Sequence, residues 1–334
     1  MKNTILVVLL ALVAVVGGSM PYWGDSYWMY EFVNIACLFI FAMMWNLLAG
    51  YGGMVSVGQQ AFFGLGGYLM LALANLAGVN PFVAIVLGAL IAGVLAFPVS
   101  KIAFRLNGGY FAIGTWVIAE VIRLTVANID AVGGGSGTSL TAFRGVSRSF
   151  RENMTYWVAL AAVLITLVSV YLFLRSKQGL ALQAIRDSEV AAESQGINVA
   201  RMKLAVYILA AVGCALAGGL YFVSNLRISP DAAFSVNWTA FGIFIVMIGG
   251  IGRIEGPLIG TLVYWLIDTW FSDYGTWYLI GLGALAILMT QYLRSGLSGL
   301  IQQLTGLDVL STRRVLPDER EQSRPLATTK ASHV

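Results

Sequence analysis

The stretch that decides the architecture begins Tyr156-Trp-Val-Ala-Leu-Ala-Ala-Val-Leu-Ile-Thr-Leu-Val-Ser-Val-Tyr-Leu-Phe-Leu174, without one charged residue. It runs directly into Arg175-Ser-Lys-Gln-Gly-Leu-Ala-Leu-Gln-Ala-Ile-Arg-Asp-Ser-Glu-Val-Ala-Ala-Glu-Ser-Gln-Gly-Ile-Asn-Val-Ala-Arg-Met-Lys203, after which a second apolar run carries the chain from Met202 to Val223. An apolar run of this kind is what a helix needs to cross a hydrocarbon layer about 30 Å thick. The polar segment between the runs has a different periodicity. From Leu180 to Gln195 it is rich in helix formers, and Gly196 is a natural stop. Leu182, Ile185 and the Ala191–Ala192 pair draw an apolar stripe, while Arg186, Asp187, Glu189 and Glu193 supply charge. The pattern predicts two membrane helices joined by an amphipathic helix. Such a helix either docks in a partner's groove or lies on the membrane as a solvated connector.

The same alternation extends over most of the chain. Of 334 residues, 58% are hydrophobic and 11% charged, with a mean hydropathy of +0.81. Soluble domains carry about 25% charged residues, so there is too little charge here to cover a soluble enzyme, and too much apolar surface for disorder. The fold class is an all-α polytopic membrane protein. Ten candidate spans can be marked: Thr4–Val16, Tyr30–Ala49, Gln60–Leu76, Pro81–Val99, Gly109–Ala127, Tyr156–Leu174, Met202–Val223, Trp238–Gly250, Pro257–Phe271 and Trp277–Tyr292. The eighth and ninth are short enough to be broken or tilted. The first, with Lys2 before it and Gly17, Gly18 and Ser19 after it, also reads as a signal peptide; a retained helix is the preferred reading. Residues 1–293 form one transmembrane domain with its polar loop at 176–201, and 294–334 form a polar tail whose Gly296–Leu307 stretch suits an amphipathic surface helix.

Lys and Arg set the orientation. With the N-terminus inside, fifteen of the 20 lie on the inner side, four (Arg144, Arg148, Arg151 and Arg227) on the outer side, and Arg123 within a span. Both termini and the 176–201 loop are therefore expected in the cytoplasm. The net charge of +4 is spread between apolar runs and the tail, which argues against nucleic acid as a partner. His333 is the single histidine, and Cys37 and Cys214 both lie in apolar runs. Catalytic residues, a metal site and a cofactor are therefore not expected.

Glycine clusters in three places: Asn46–Tyr68, Asn107–Thr115 and Gly249–Gly260. Glycines at helical spacing let neighbouring backbones approach closely in lipid. Alternatively, they mark broken helices that line a pathway, because irregular backbone at membrane depth survives only beside a cavity or inside protein. Under the second reading Gly52, Ser56, Gly58, Gln59, Phe62, Tyr110 and Thr115 are the candidates for a translocation pathway or gate. Within the spans, Glu120 and Arg123 stand three apart on one helix and can pair, and Asp268 lies near a helix end.

Arg186-Asp-Ser-Glu-Val-Ala-Ala-Glu-Ser-Gln-Gly-Ile197 resembles the coupling loop of bacterial ABC importer permeases. Together with Asn46–Tyr68, Gly108-Gly-Tyr-Phe-Ala-Ile-Gly-Thr115 and Gly249–Gly260, in that order, it resembles the LivM-type branched-chain amino-acid permeases over roughly Trp45 to Leu288. The chain departs from that pattern at Gln60, where a small residue is usual. The resemblance implies a permease subunit in the inner membrane, working beside a second, homologous permease, two cytoplasmic ABC ATPases and a periplasmic or extracellular binding protein. It implies that Arg186, Asp187, Glu189, Ala191, Ala192 and Gly196 belong to a coupling helix. Leucine, isoleucine and valine are the expected substrates, with urea or short amides as the alternative. No Gly-x-x-x-x-Gly-Lys phosphate loop occurs; Gly133–Thr138 lacks the lysine. A gradient-driven carrier using Glu120, Arg123 and Asp268 is the competing class, and in it the 176–201 loop would have no partner.

Overall fold

The structure, a computed structural model, describes residues 17–22, 24–293 and 295–305. Helix α1 (Ser26–Asn46) continues as a π turn at Leu47–Tyr51. There follow α2 (Gln60–Asn75), α3 (Pro81–Ala103), α4 (Gly109–Ala127), α5 (Arg148–Arg175), α6 (Lys177–Asp187), α7 (Glu189–Ser194) and α8 (Val199–Asn225). The described residues end with α9 (Pro230–Ala233), α10 (Val236–Gly249), α11 (Glu255–Phe271), α12 (Thr276–Tyr292) and α13 (Gly296–Thr305). Helices stand at nine of the ten segments marked in the sequence; Thr4–Val16 lies outside the described residues. Among the described residues, six helices are long and apolar enough to cross a membrane, which does not establish the count of ten. Helix α2 has 16 residues, and α11 and α12 have 17 each, all short for a crossing.

Helices α2, α3 and α8 pack against one another, and α1 runs through the centre against α5, α8, α10 and α11. Helix α3 shows how the sequence achieves this. Its buried face carries Ala84, Gly88, Ala89, Ala92, Gly93 and Ala96, while Val83, Val86, Leu90 and Val94 point outward. Large apolar residues outside and, apart from Ile85, small ones along the buried face is the reverse of a water-soluble helix. It follows because lipid is as apolar as leucine, so helices associate through close backbone approach. The closest approaches are made by glycine: a Cβ on Gly66 would collide with the Ala215 carbonyl, and one on Gly218 with the Phe63 carbonyl. Packing therefore explains many of the glycines.

The polar loop departs from the single helix its composition predicts. Ser188 is extended (φ −163°, ψ 115°), and its Oγ accepts from Ala191 N at 3.3 Å, so the segment splits into α6 and α7. A serine placed to cap a new helix competes well with continuing the old one. The stop at Gly196 does occur there: φ is +82°, Ile197 N donates to Ala192 O and Gly196 N to Glu193 O, the paired bonds of a left-handed helix cap.

At the opposite end of α5 the segment between α4 and α5 is folded. Thr138–Ser139 pairs antiparallel with Arg227–Ile228. The Asn75 side chain grips the same segment, donating to Ser139 O at 3.0 Å and accepting from Thr141 N at 2.9 Å and Ala142 N at 3.2 Å. Beyond α12, α13 packs on α10 and α11, and Arg253 Nη1 donates to Gln302 Oε1 at 2.6 Å. This part of the tail is attached to the helix bundle. The rest of the tail lies outside the described residues.

Candidate functional site

Three sequence-distant motifs meet where α1 ends. The π turn at Leu47–Tyr51 leaves the Gly50 carbonyl at a helix terminus without an intrahelical donor. Arg186 Nη1, from α6, supplies one at 2.8 Å. Beside it Asn46 Oδ1 accepts from Gly252 N at 2.8 Å, and Asn46 Nδ2 donates to Arg253 O at 2.8 Å, tying α1 to the turn between α10 and α11. Side chains are excluded by geometry. A Cβ on Gly50 would lie 2.6 Å from Gly252 N, and Gly53 and Gly252 sit at φ +67° and +73°. The first and third glycine clusters and the polar loop thus form one junction.

The loop's faces are distributed differently from the predicted stripe. Leu182, Ile185 and Ala192 are buried against this chain's own helices, Ile185 and Ala192 against Val199. Ala191, Glu189, Asp187, Glu193 and Gly196 remain exposed, and Val190 is 76% exposed. Arg186 is split between its inward bond to Gly50 and bonds of 3.2 and 3.1 Å to Asp187 Oδ1. Lys203 Nζ pairs with Glu189 Oε1 at 2.5 Å. That pair borders a cavity of 310 Å³ whose other walls are Gly53, Met54 and Val55 from the irregular segment after α1, and Asn107 to Gly109, Phe111 and Ala112 from the start of α4.

The pathway candidates separate into two groups. Ser56, Gly58, Gln59, Phe62 and Thr115 are buried in protein. Trp45 Nε1 donates to Ser56 O at 2.9 Å, Gly58 N and Gln59 Nε2 donate to Ser56 Oγ at 3.2 and 3.4 Å, and Cys214 Sγ reaches Gln59 Oε1 at 3.6 Å. Val57 N donates to Thr115 Oγ1 at 3.1 Å, and a Cβ on Gly58 would strike the Thr115 carbonyl. Phe62 stands edge-on to Tyr207. Gln60 is matched by Thr239, whose hydroxyl donates to its Oε1. Gly52 packs near Leu182 and Met54, while Tyr110 is 77% exposed. The polar atoms read as pathway groups hold the irregular segment together, and the cavity walls fall to neighbours that the sequence reading passed over. Asn46 was also missed, although it opens the first cluster and is a polar residue at the end of a long apolar run.

At the far end of α4, Arg123 Nε donates to Glu120 Oε1 and Oε2 at 2.9 and 3.0 Å, which is the predicted pair. Asp231, from α9, joins it at 2.5 Å from Arg123 Nη1. Asp268 accepts from Tyr278 Oη at 2.7 Å.

Residues 27–301 match the family described as branched-chain amino acid transport system / permease component. The high-affinity branched-chain amino acid transport system permease protein LivM of Salmonella typhimurium is 27% identical over 278 residues, 75% of this chain and 65% of the relative. A probable branched-chain amino acid transport permease protein LivM of Methanocaldococcus jannaschii is 27% identical, covering 74% of this chain and 80% of the relative. The fructose import permease protein FruG of Bifidobacterium longum is 26% identical over 280 residues, 78% of this chain and 81% of the relative. This chain thus spans about two thirds of the length of the Salmonella permease. No solved structure gives a significant match. With the matched region running from the first turn of α1 into α13, the chain belongs to the branched-chain amino acid transport system permease family, whose members are multi-pass membrane transporters.

Proposed function

We propose that this chain is a translocating subunit of an ABC importer for leucine, isoleucine and valine, with α6 and α7 as its coupling helix. The observation that carries the reading is the bond from Arg186 to Gly50 O, which joins the loop directly to the broken end of the central helix. A loop that passes movement to a pathway needs such a contact, and a solvated connector does not. The exposed residues Asp187, Glu189, Val190 and Ala191 then face an ATPase subunit, with a second ATPase beneath a homologous partner permease. A binding protein delivers substrate from the far side, where the folded segment at 128–147 lies. In this reading the chain crosses the inner membrane about ten times, with both termini and the coupling loop in the cytoplasm. It is not an enzyme and needs no cofactor. Ser56, Gly58, Gln59 and Thr115 stiffen the wall of the pathway, and Gly53 to Val55 open onto the cavity.

The test is uptake by cells lacking this chain, with and without it restored, using labelled leucine, urea, ribose and fructose. Leucine uptake that falls and returns with the chain supports the reading; dependence of urea or a sugar alone sinks the substrate assignment. Uptake that persists when both ATPases are inactivated would favour a gradient-driven carrier. Reporter fusions at residues 128 and 334 check the topology, the expected sides being opposite.

A further inference from the structure

The Glu120–Arg123–Asp231 network is not used by the coupling junction, and its chemistry is distinctive. One guanidinium is held by two carboxylates, on α4 and α9. At 1.5 Å per residue, Glu120 lies about 10 Å inside the Ala127 end of α4. Charges at that depth in a span face a protein partner or a water-filled cavity, because lipid does not tolerate them. The three side chains are 47%, 23% and 81% exposed for Glu120, Arg123 and Asp231, so the network is reachable and Asp231 is its loosest member.

A second observation points to a ligand. Tyr68 is only 4% exposed, yet its hydroxyl has no hydrogen-bond partner among the described residues. A buried hydroxyl left unpaired costs about 1–3 kcal/mol, and folds rarely keep one without use. Its ring stacks on Phe234 at 5.9 Å, three residues past Asp231, and α9 packs against both α2 and α4.

We infer that Glu120, Arg123, Asp231 and Tyr68 form a transient binding site for the zwitterionic head of an α-amino acid. This deepens the proposed importer and rests on that reading. The ligand carboxylate takes Arg123 Nη1 in place of Asp231, a charge-assisted bond, while Glu120 keeps Nε and Nη2. The displaced Asp231 and Glu120 then receive the ammonium group, and the Tyr68 hydroxyl donates to the ligand carboxylate. One arginine and two acids accept both charges of an amino acid with an equal exchange of ion pairs. An uncharged sugar or urea offers nothing to replace the displaced pair.

The experiment uses the complete importer in vesicles, with leucine, ribose and urea as probes. A wild-type complex that carries ribose or urea but not leucine overturns the transport reading itself. Given leucine uptake, Tyr68→Phe is the decisive variant: it removes an unpaired buried hydroxyl, so the thermal midpoint holds or rises. The KM for leucine uptake is expected to rise about tenfold, the scale of one lost hydrogen bond to a charged ligand. Asp231→Asn is expected to raise KM similarly, and the conservative Asp231→Glu to keep it near the wild-type value. If Tyr68→Phe and Asp231→Asn leave KM at the wild-type value, or change only the thermal midpoint, the network is a strut and the inference falls.

Discussion

The two polar centres at opposite ends of this bundle are made of opposite materials. The junction at the end of α1 is mostly backbone: carbonyls and amides of Gly50, Gly252 and Arg253, bridged by Asn46 and one guanidinium from Arg186. The network on α4 is all side chain, with three ionised groups on two elements and much solvent contact. The surrounding helices match: 78% of the apolar window of α1 is inside the protein, against 22% for α4. In this junction two side chains clamp onto fixed backbone, and the close glycine contacts leave little room to absorb movement, so a displaced loop carries α1 with it. A side-chain network can trade partners without moving a helix. In the importer proposed above, one end transmits and the other exchanges.

The strongest way to break that comparison is to wedge the rigid end apart. Gly50→Leu places a branched side chain where even a Cβ has 2.6 Å to Gly252 N, and Gly58→Leu drives one into the Thr115 carbonyl. Both are expected to abolish uptake, with a stability loss of at least about 3 kcal/mol, at or beyond the upper end for overpacking, because the obstruction is backbone. Uptake counts and thermal unfolding of the purified complex check this. Near-normal values would mean that the close approaches relax easily and that the junction does not transmit.

Next in size is Arg186→Met, which keeps the apolar stem beside Gly53 and removes the donor to Gly50 O. A hydrogen bond from a charged group contributes about 1.5–3 kcal/mol, enough to loosen the loop without unfolding the bundle. Uptake is expected to fall about tenfold while the ATPases stay bound and hydrolyse ATP, with Arg186→Lys intermediate. Loss of ATPase binding instead would assign Arg186 to the partner surface, as the exposed Asp187 beside it is assigned.

These two variants also mark how far the sequence could be read. The apolar helices α1 to α5, α8 and α10 to α12 were legible because apolar runs are local features, and the three motifs were legible as motifs. Their convergence was not. Asn46, Gly50, Arg186 and Gly252 lie as far as 206 positions apart, and only packing brings them together. The apolar stripe of Leu182, Ile185 and Ala192 was seen, but its direction was not, because periodicity tells that a helix has an apolar face and not whose surface covers it. The same limit applies to Ser56 and Gln59. Polar residues in a glycine-rich run can line a pathway or satisfy irregular backbone, and here their bonds go to backbone, to one another and to Cys214. Asp231, on a helix of four residues, was missed because its partner lies 108 positions away.

At the exchanging end the effects on stability should be small even where those on transport are not. Glu120→Gln leaves Arg123 its bond to Asp231, and a half-exposed ion pair contributes about 0–1 kcal/mol, so the unfolding midpoint should hardly move. A loss as large as that of Gly50→Leu would place the network among the rigid struts and erase the contrast.

The smallest effect is expected at Lys203→Gln, which sharpens the comparison from within the rigid end. Among the described residues Lys203 and Glu189 form the ion pair that borders the cavity, with Lys203 18% and Glu189 54% exposed, so solvent reaches and screens the pair from the Glu189 side. If the junction holds through backbone contacts, losing this pair costs about 0–1 kcal/mol and changes uptake less than twofold. If uptake falls as far as with Arg186→Met, then the side chains of α7 and α8 share the transmission. The end of the molecule that looks rigid would then depend on an exposed charge pair, and salt should weaken transport. Measuring uptake of the wild type and Lys203→Gln at low and high ionic strength separates the two: screening reaches an exposed pair and leaves the bond between Asn46 and Gly252 untouched.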